Sequence, residues 1–224
     1  MVILQVAGKG KSVHYEALRR ASKGQPIFWG GADFFTEKQK EQVLSDRLRK
    51  KFRNHTSWEA IEHHYNYFKK NAWEPSNLNW MTYLDLNFRL PELLLMRVDK
   101  MSMGVSLEGR VPFLDYKFVE LSMSIPEKTK TKNGELKYIL KKAVRGIIPD
   151  EFIDRKKQGF GVPVQEFLLD KLGSKAKEEI LNVCDETDFL DKRGVLKLFK
   201  ENDSARIWML LNFAMWWKHY IKPK

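Results

Sequence analysis

The chain has 224 residues, of which 43% are hydrophobic and 31% charged, and a formal net charge of +11. That length can bury a substantial core, as one large domain or two small ones, and that balance argues against long disorder. Its lone cysteine, Cys184, excludes an internal disulfide and a cysteine-rich metal site, and no apolar run approaches the roughly 18 residues of a membrane helix. Nothing at the start resembles a signal peptide, so a cytoplasmic protein with no membrane partner is expected. The positive charge fits three situations: an anionic partner, a surface decorated with lysines, or a chain separated from an acidic counterpart. Basic runs lie at Arg47 to Arg53, Lys128 to Lys132 and Arg155 to Lys157. A basic helical module that binds nucleic acid is the alternative these runs raise. The aromatic and basic alternation of an RNA-binding strand is absent, so nucleic acid is not the expected partner.

In chain order, Gly8 to Ser12 reads GKGKS after an apolar run. A phosphate-binding loop needs glycine five places before Gly10, where Gln5 stands, so the backbone curl around phosphate is not encoded. Thr36 starts TEKQ, with Gln39 placed for a capping box, and Thr56 starts TSWE, with Glu59 at the same offset. Trp58, Ile61, Tyr65 and Phe68 recur at spacings of three and four and predict one apolar helix face. His63 and His64 are adjacent on that helix, about 100° apart, and cannot share a metal in the usual way. No metal site is expected. Gly134 opens a further predicted helix with Leu136, Ile139, Leu140, Ala143 and Val144 on one face. Ile207, Leu210, Leu211, Ala214, Trp217 and Ile221 predict a terminal helix. Pro91, Pro112, Pro126, Pro149 and Pro163 read as helix starts or turns. There is no alternating strand pattern, repeat or Gly/Ser linker, so residues 1–224 read as one helical domain.

Three stretches carry chemistry. From Leu95 to Asp115, LMRVDKMSMGVSLEGRVPFLD mixes core residues with charges, and buried charges need partners. It reads as a wall of apolar and ionic layers. From Asn133 to Ile153, the spacing predicts Lys137 and Lys141 on one helix face, able to enter a cleft or to stay solvated. From Arg155 to Val164, RKKQGFGVPV sets three cations before a glycine-rich loop. Such a loop can present amides and ammonium groups to phosphate, or be a basic surface turn.

These three stretches, followed by a Trp-rich terminal helix, resemble in order the C-terminal part of glutamine-dependent asparagine synthetases. The resemblance runs from about Phe28 to Tyr220 and is densest from Met96 to Leu168; FWGGADFFTEKQK also looks like bacterial members. It implies the mainly α, helical end of an α/β synthetase domain of the adenine-nucleotide α-hydrolase-like (ATP pyrophosphatase) kind. The parallel sheet, pyrophosphate loop, metal segment and glutaminase domain of the family lie upstream of the residues matched here. The family activates a carboxylate with Mg-ATP as an acyl-adenylate, which ammonia from glutamine then attacks. Aspartate is the expected substrate. Leu94 stands near the family's substrate-reading acidic position, a departure that leaves room for another carboxylate such as a sugar acid. By resemblance, Lys157 reaches the phosphates and is the expected catalytic and nucleotide-binding residue. Lys137 supports it. Lys100, Glu108, Arg110 and Asp115 are a structural motif. ATP and Mg belong to the intact enzyme, and neither is expected to bind this chain tightly. The partner it implies is the missing N-terminal half of the same protein.

Overall fold

Short, capped helices make up nearly all of the regular structure. A computed structural model describes residues 12–31, 34–156, 163–166, 168 and 172–222. Among them no strand forms, only isolated bridges such as that between Leu44 and Leu190. The mainly helical class read from the sequence is the class observed. Side chains of Ser12, Thr36, Ser45, Ser76 and Asp191 each accept the backbone N–H three residues on. Each such cap satisfies an orphan donor and contributes about 1 kcal/mol. At Thr36 the box is complete, because Gln39 Oε1 accepts the Thr36 N–H at 2.8 Å.

The described chain divides into two compact units. The first holds residues 12–27, 34–59 and 163–222. Its helices are α1 (Val13–Ser22), α2 (Glu37–Val43), α3 (Asp46–Lys51), and three from the far end of the chain. A fourth helix, α4 (Glu59–Asn71), starts at this unit's edge and belongs to the other. Ile180 and Val195 are fully buried at the centre of the first unit, joined by Val43, Val183, Leu198, Ile207, Leu210 and Ala214. Each valine, leucine and isoleucine among them contributes about 1.5–3 kcal/mol of apolar burial. Backbone pairing stitches the two ends together: Ser45 N–H donates to Phe189 O, and Asp191 N–H to Val43 O, both at 2.9 Å. In α1, Glu16 is buried and accepts from Arg19 Nη2 at 2.6 Å and Arg20 Nε at 3.2 Å. Burial raises the Glu16 carboxyl, but the two guanidiniums more than offset this and hold it below its ordinary value.

The second unit holds residues 28–31 and 60–156. Trp80, on α5 (Asn77–Leu84), is 2% exposed and packs edge-on against Tyr65 with ring centres 5.0 Å apart. Its Nε1 donates to Phe28 O at 2.9 Å. Ile61 and Phe68 are buried on α4, as their spacing predicts, whereas Trp58 precedes that helix. Helix α5 continues as a π segment, Asp85–Leu95, into α6 (Met96–Met103). Pro91 lies inside this segment and not at a helix start. It has no N–H to give, and its ring disfavours the regular i−4 turn, so a wider turn forms. The closing bond is of that wider kind, from Met96 N–H to Pro91 O.

Beyond Leu84 the second unit changes character. No residue from 85 to 156 is buried. The stretch Leu95 to Asp115, expected as a wall of buried apolar and ionic layers, stands open, with Met101 80% exposed. The helices here are α7 (Tyr116–Ser124), α8 (Glu127–Lys130), α9 (Tyr138–Val144) and α10 (Asp150–Ile153). In the first unit, α11 (Gly173–Glu186), α12 (Lys192–Lys200) and α13 (Ser204–Trp216) follow, and α13 runs on into a π segment, Trp217–Ile221.

Candidate functional site

The basic stretch before residue 157 is assembled from turns. Asn133 and Gly134 both have positive φ (52° and 80°), as a tight Asn-Gly turn needs, and Glu135 N–H donates to Lys132 O at 2.9 Å. Helix α9 therefore starts at Tyr138, four residues later than the sequence suggests. Lys137 precedes it in the left-handed region, φ 61° and ψ 25°, with an exposed side chain. It does not share a helix face with Lys141. Lys141 Nζ is instead paired with Glu135 Oε1 at 2.7 Å.

Arg145 fixes the next turn. Its Nη1 lies 2.7 Å from Asp150 Oδ1 and its Nη2 2.6 Å from Asp154 Oδ1. The guanidinium holds the Asp154 carboxyl below its usual range, and both carboxylates push Arg145 further up. All three are solvent-accessible, so the clamp sets geometry more than stability. Arg155 and Lys156 follow, exposed, directly after this clamp. Lys157, the expected catalytic residue, lies outside the described residues, as do Gly159 and Gly161. What is visible is the approach to that loop: Lys137, Arg155 and Lys156, with no ion pair among the described residues. Such exposed ammonium and guanidinium groups can attract an anion but cannot by themselves enclose one.

The structural motif is placed as follows. Lys100 is exposed on α6. Glu108 and Arg110 pair with each other, Arg110 Nη2 to Glu108 Oε1 at 3.0 Å, in solvent. Asp115 caps α7, its Oδ1 accepting from Lys117 N and Phe118 N at 3.1 and 3.2 Å. Among the described residues no group of three His, Cys, Asp or Glu could hold a metal ion. His64 packs edge-on against Phe88 at 4.5 Å, a packing role. Burial pushes the Cys184 thiol up to about 11, the state of an inert thiol. No helix among the described residues is long and apolar enough to cross a membrane.

Two polar features escape sequence reasoning. Asn79, 2% exposed, donates through Nδ2 to Glu74 Oε2 at 3.0 Å and accepts from Lys130 Nζ at 2.8 Å. Glu74 Oε2 also accepts Glu127 N–H at 2.7 Å, so this knot ties α8 to the start of α5. Burial lowers Lys130, and Glu74 and Glu127 offset part of that. The second feature is Asp85, at the first position of the π segment, whose Oδ1 has no partner. Burial raises its carboxyl and Arg89 acts against the rise. A π turn re-aims side chains, and nothing in a hydropathy pattern announces it beyond Pro91 itself.

Comparison with known proteins gives a family. A family model described as asparagine synthase matches residues 9–218. The chain is 34% identical over 201 residues to asparagine synthetase [glutamine-hydrolyzing] 1 of Bacillus subtilis, covering 86% of this chain and 30% of that protein. It is 28% identical over 159 residues to a putative asparagine synthetase [glutamine-hydrolyzing] of Mycobacterium bovis, covering 67% of this chain and 24% of that protein. With asparagine synthetase [glutamine-hydrolyzing] 3 of Bacillus subtilis it shares 49% identity over 67 residues, 30% of this chain and 11% of the relative. The chain thus spans less than a third of the length of these relatives. No solved structure matches it. The motifs of the basic and apolar stretches, the helical architecture and a match across residues 9–218 lead to one conclusion: the chain belongs to the asparagine synthase family.

Proposed function

We propose that the chain is the helical portion of an ATP-dependent amide ligase that draws ammonia from glutamine, with L-aspartate as the first substrate to test. The observation that carries this reading is the extent of the family match, which takes in nearly the whole chain. In the proposed reaction a carboxylate oxygen attacks the α-phosphorus of ATP, and pyrophosphate leaves with the electrons of the broken P–O bond. Ammonia then attacks the acyl carbon, AMP departs, and a proton passes to solvent. Both steps move negative charge toward groups that cations must stabilise. Lys157 is proposed for that role, with Lys137 in support. Arg145 sets the turn that precedes Arg155 and Lys156. The described residues offer cations for the anionic end of a nucleotide. Among them no group of three His, Cys, Asp or Glu is clustered to hold magnesium.

The chain by itself is proposed to be inactive. Incubating it with L-aspartate, glutamine and Mg-ATP should release no pyrophosphate above background. Adding the part of the Bacillus subtilis relative outside the aligned stretch should produce pyrophosphate, AMP and asparagine in equal amounts. Turnover by the chain alone would overturn the inactivity. A reconstituted mixture that turns over a sugar acid and not aspartate would move the substrate. A complex with no carboxylate-dependent pyrophosphate release would sink the ligase reading.

A further inference from the structure

We propose that the cleft between α11 and the π segment Trp217–Ile221 binds a small zwitterion of the α-amino-acid class, held by both of its charged ends. All of the residues that form it belong to the first unit. The inference goes beyond the ligase reading and does not depend on it.

Three observations carry it. First, the cleft has an unmet donor. Trp217 lines it, and the Trp217 Nε1 is fully buried without a hydrogen-bond partner. The indole is held edge-on against Phe189, ring centres 5.2 Å apart, so it is not free to turn its N–H back to water. A buried donor without an acceptor is costly, and native structures hold few of them. Second, the cleft carries both signs of charge. Glu179, Asn182 and Glu186 stand on one face of α11, and Lys218 and Lys222 face them from the other side. Glu179 is 9% exposed, and its Oε1 accepts from Lys218 Nζ at 2.6 Å. Glu186 Oε1 accepts from Lys222 Nζ at 2.6 Å. Both lysine side chains are half-exposed. Ion pairs this open to water hold loosely, so the ammonium heads can turn to a ligand at small cost. Two carboxylates and two ammoniums cancel. A ligand of one sign is attracted by one set and repelled by the other, whereas a ligand of both signs gains from both. Third, the size fits. The cavity is about 70 Å³. At roughly 10–15 Å³ for each water-sized occupant, it takes about five to seven non-hydrogen atoms, the size of glycine or alanine. In the proposed pose the ligand carboxylate accepts from Trp217 Nε1 and the Lys222 ammonium, and its own ammonium donates to Glu186 and to Asn182 Oδ1. The Lys222 N–H closes the π turn on Trp217 O at 2.8 Å, and π turns recur at functional sites.

The test titrates the isotope-labelled chain with glycine and with alanine. NMR follows the indole N–H signals of its seven tryptophans, and calorimetry gives a second readout. The Trp217 signal is assigned from Trp217→Phe. The expected result is a saturable shift, largest at Trp217 and half-complete at about 1 mM or below, an affinity that so few non-hydrogen atoms can supply. Acetate and methylammonium each carry one end alone and should bind at least about tenfold more weakly. Glu186→Gln and Lys222→Met alter pairs open to solvent, so both variants should keep the wild-type melting temperature. Each should weaken glycine at least about fivefold, the share of one charge-assisted hydrogen bond. Trp217→Phe should lose about as much by calorimetry; if it melts early, the two exposed variants are read in its place. A folded chain with no saturable shift up to about 10 mM glycine overturns the proposal. So does acetate or methylammonium binding as tightly as glycine, because one sign of charge would then suffice. Glycine affinities unchanged in Glu186→Gln and Lys222→Met overturn it as well.

Discussion

Asn79→Ala offers the most direct check on how the second unit is held. The side chain is 2% exposed and makes three hydrogen bonds: Nδ2 to Glu74 O at 2.9 Å, Nδ2 to Glu74 Oε2 at 3.0 Å, and Oδ1 from Lys130 Nζ at 2.8 Å. Two of the three involve a charged group and contribute about 1.5–3 kcal/mol each when fully enclosed, against about 1 for the neutral one. Glu74 and Lys130 are only half-buried, so water recovers part of that loss and about 3 kcal/mol is the expected total. For a chain of this size that lowers Tm by about 6–12 °C. The substitution strands the Lys130 ammonium, so adding Lys130→Met should restore part of the deficit in a double-mutant cycle. Lys130 has its folded pKa depressed chiefly by burial. The unfolded state then holds more protons, and stability rises with pH through the window below the ordinary lysine value of about 10.4. The Asn79→Ala deficit should therefore shrink as pH climbs toward about 10. Thermal and urea denaturation read all of this. A loss below about 1 kcal/mol, or strict additivity with Lys130→Met, would refute the account.

Gly194→Ala should damage the first unit more than its size suggests. A Cβ there lands on the carbonyl oxygen of Gln42, a backbone atom that cannot swing aside. Helix α12 must shift from α2, at a cost of about 3 kcal/mol or more, read by urea unfolding. Cys184 should react with a disulfide reagent at pH 8 at least about 100-fold more slowly in the native chain than in urea, since its thiol is pushed up to about 11; equal rates would contradict the burial. Asp191 is held below its ordinary value, first by the Gly194 backbone N–H, despite some burial. A carboxylate with a depressed folded pKa contributes stability above its unfolded value of about 3.9 and loses it as pH falls through the folded one. Asp191→Asn should therefore flatten the acid limb of the stability profile below about pH 4.

What was legible in the sequence was local. The Thr36 box, the spacing of Ile61 and Phe68, and the stripe of Ile207, Leu210 and Ala214 each rest on residues three or four apart, and the structure shows each of them. The errors came where a turn overrode a periodic pattern. Asn133–Gly134 takes two positive φ angles and delays α9, so Lys137 stands before the helix and shares no face with Lys141. Pro91 widens a helix instead of starting one. Helices α11 and α12 were not singled out, although Ile180 with Val183 and Val195 with Leu198 keep helical spacing amid their lysines and glutamates. The Glu74–Asn79–Lys130 knot joins residues 51 apart, and no spacing rule reaches that far. The apolar richness of Leu95 to Asp115 was visible in the letters. That it would stand in solvent was not, because hydropathy states what a residue prefers and not whether a partner is present to satisfy it.

The stitch between Ser45 and Asp188 has a consequence in time. Ser45 Oγ donates to Asp188 O across 143 residues of chain, and all of the second unit except residues 28–31 lies between those two points in sequence. Closing a loop of that length costs on the order of 4 kcal/mol of chain entropy, a penalty that slows assembly. During synthesis at about 5–20 residues per second, helix α2 emerges roughly 7–30 s before the Phe189–Asp191 segment that will pair with its end. For that interval Val43 and Leu44 have no partner to cover them. The first unit is begun early and finished last, and the second must be made, and kept out of the way, while the first waits.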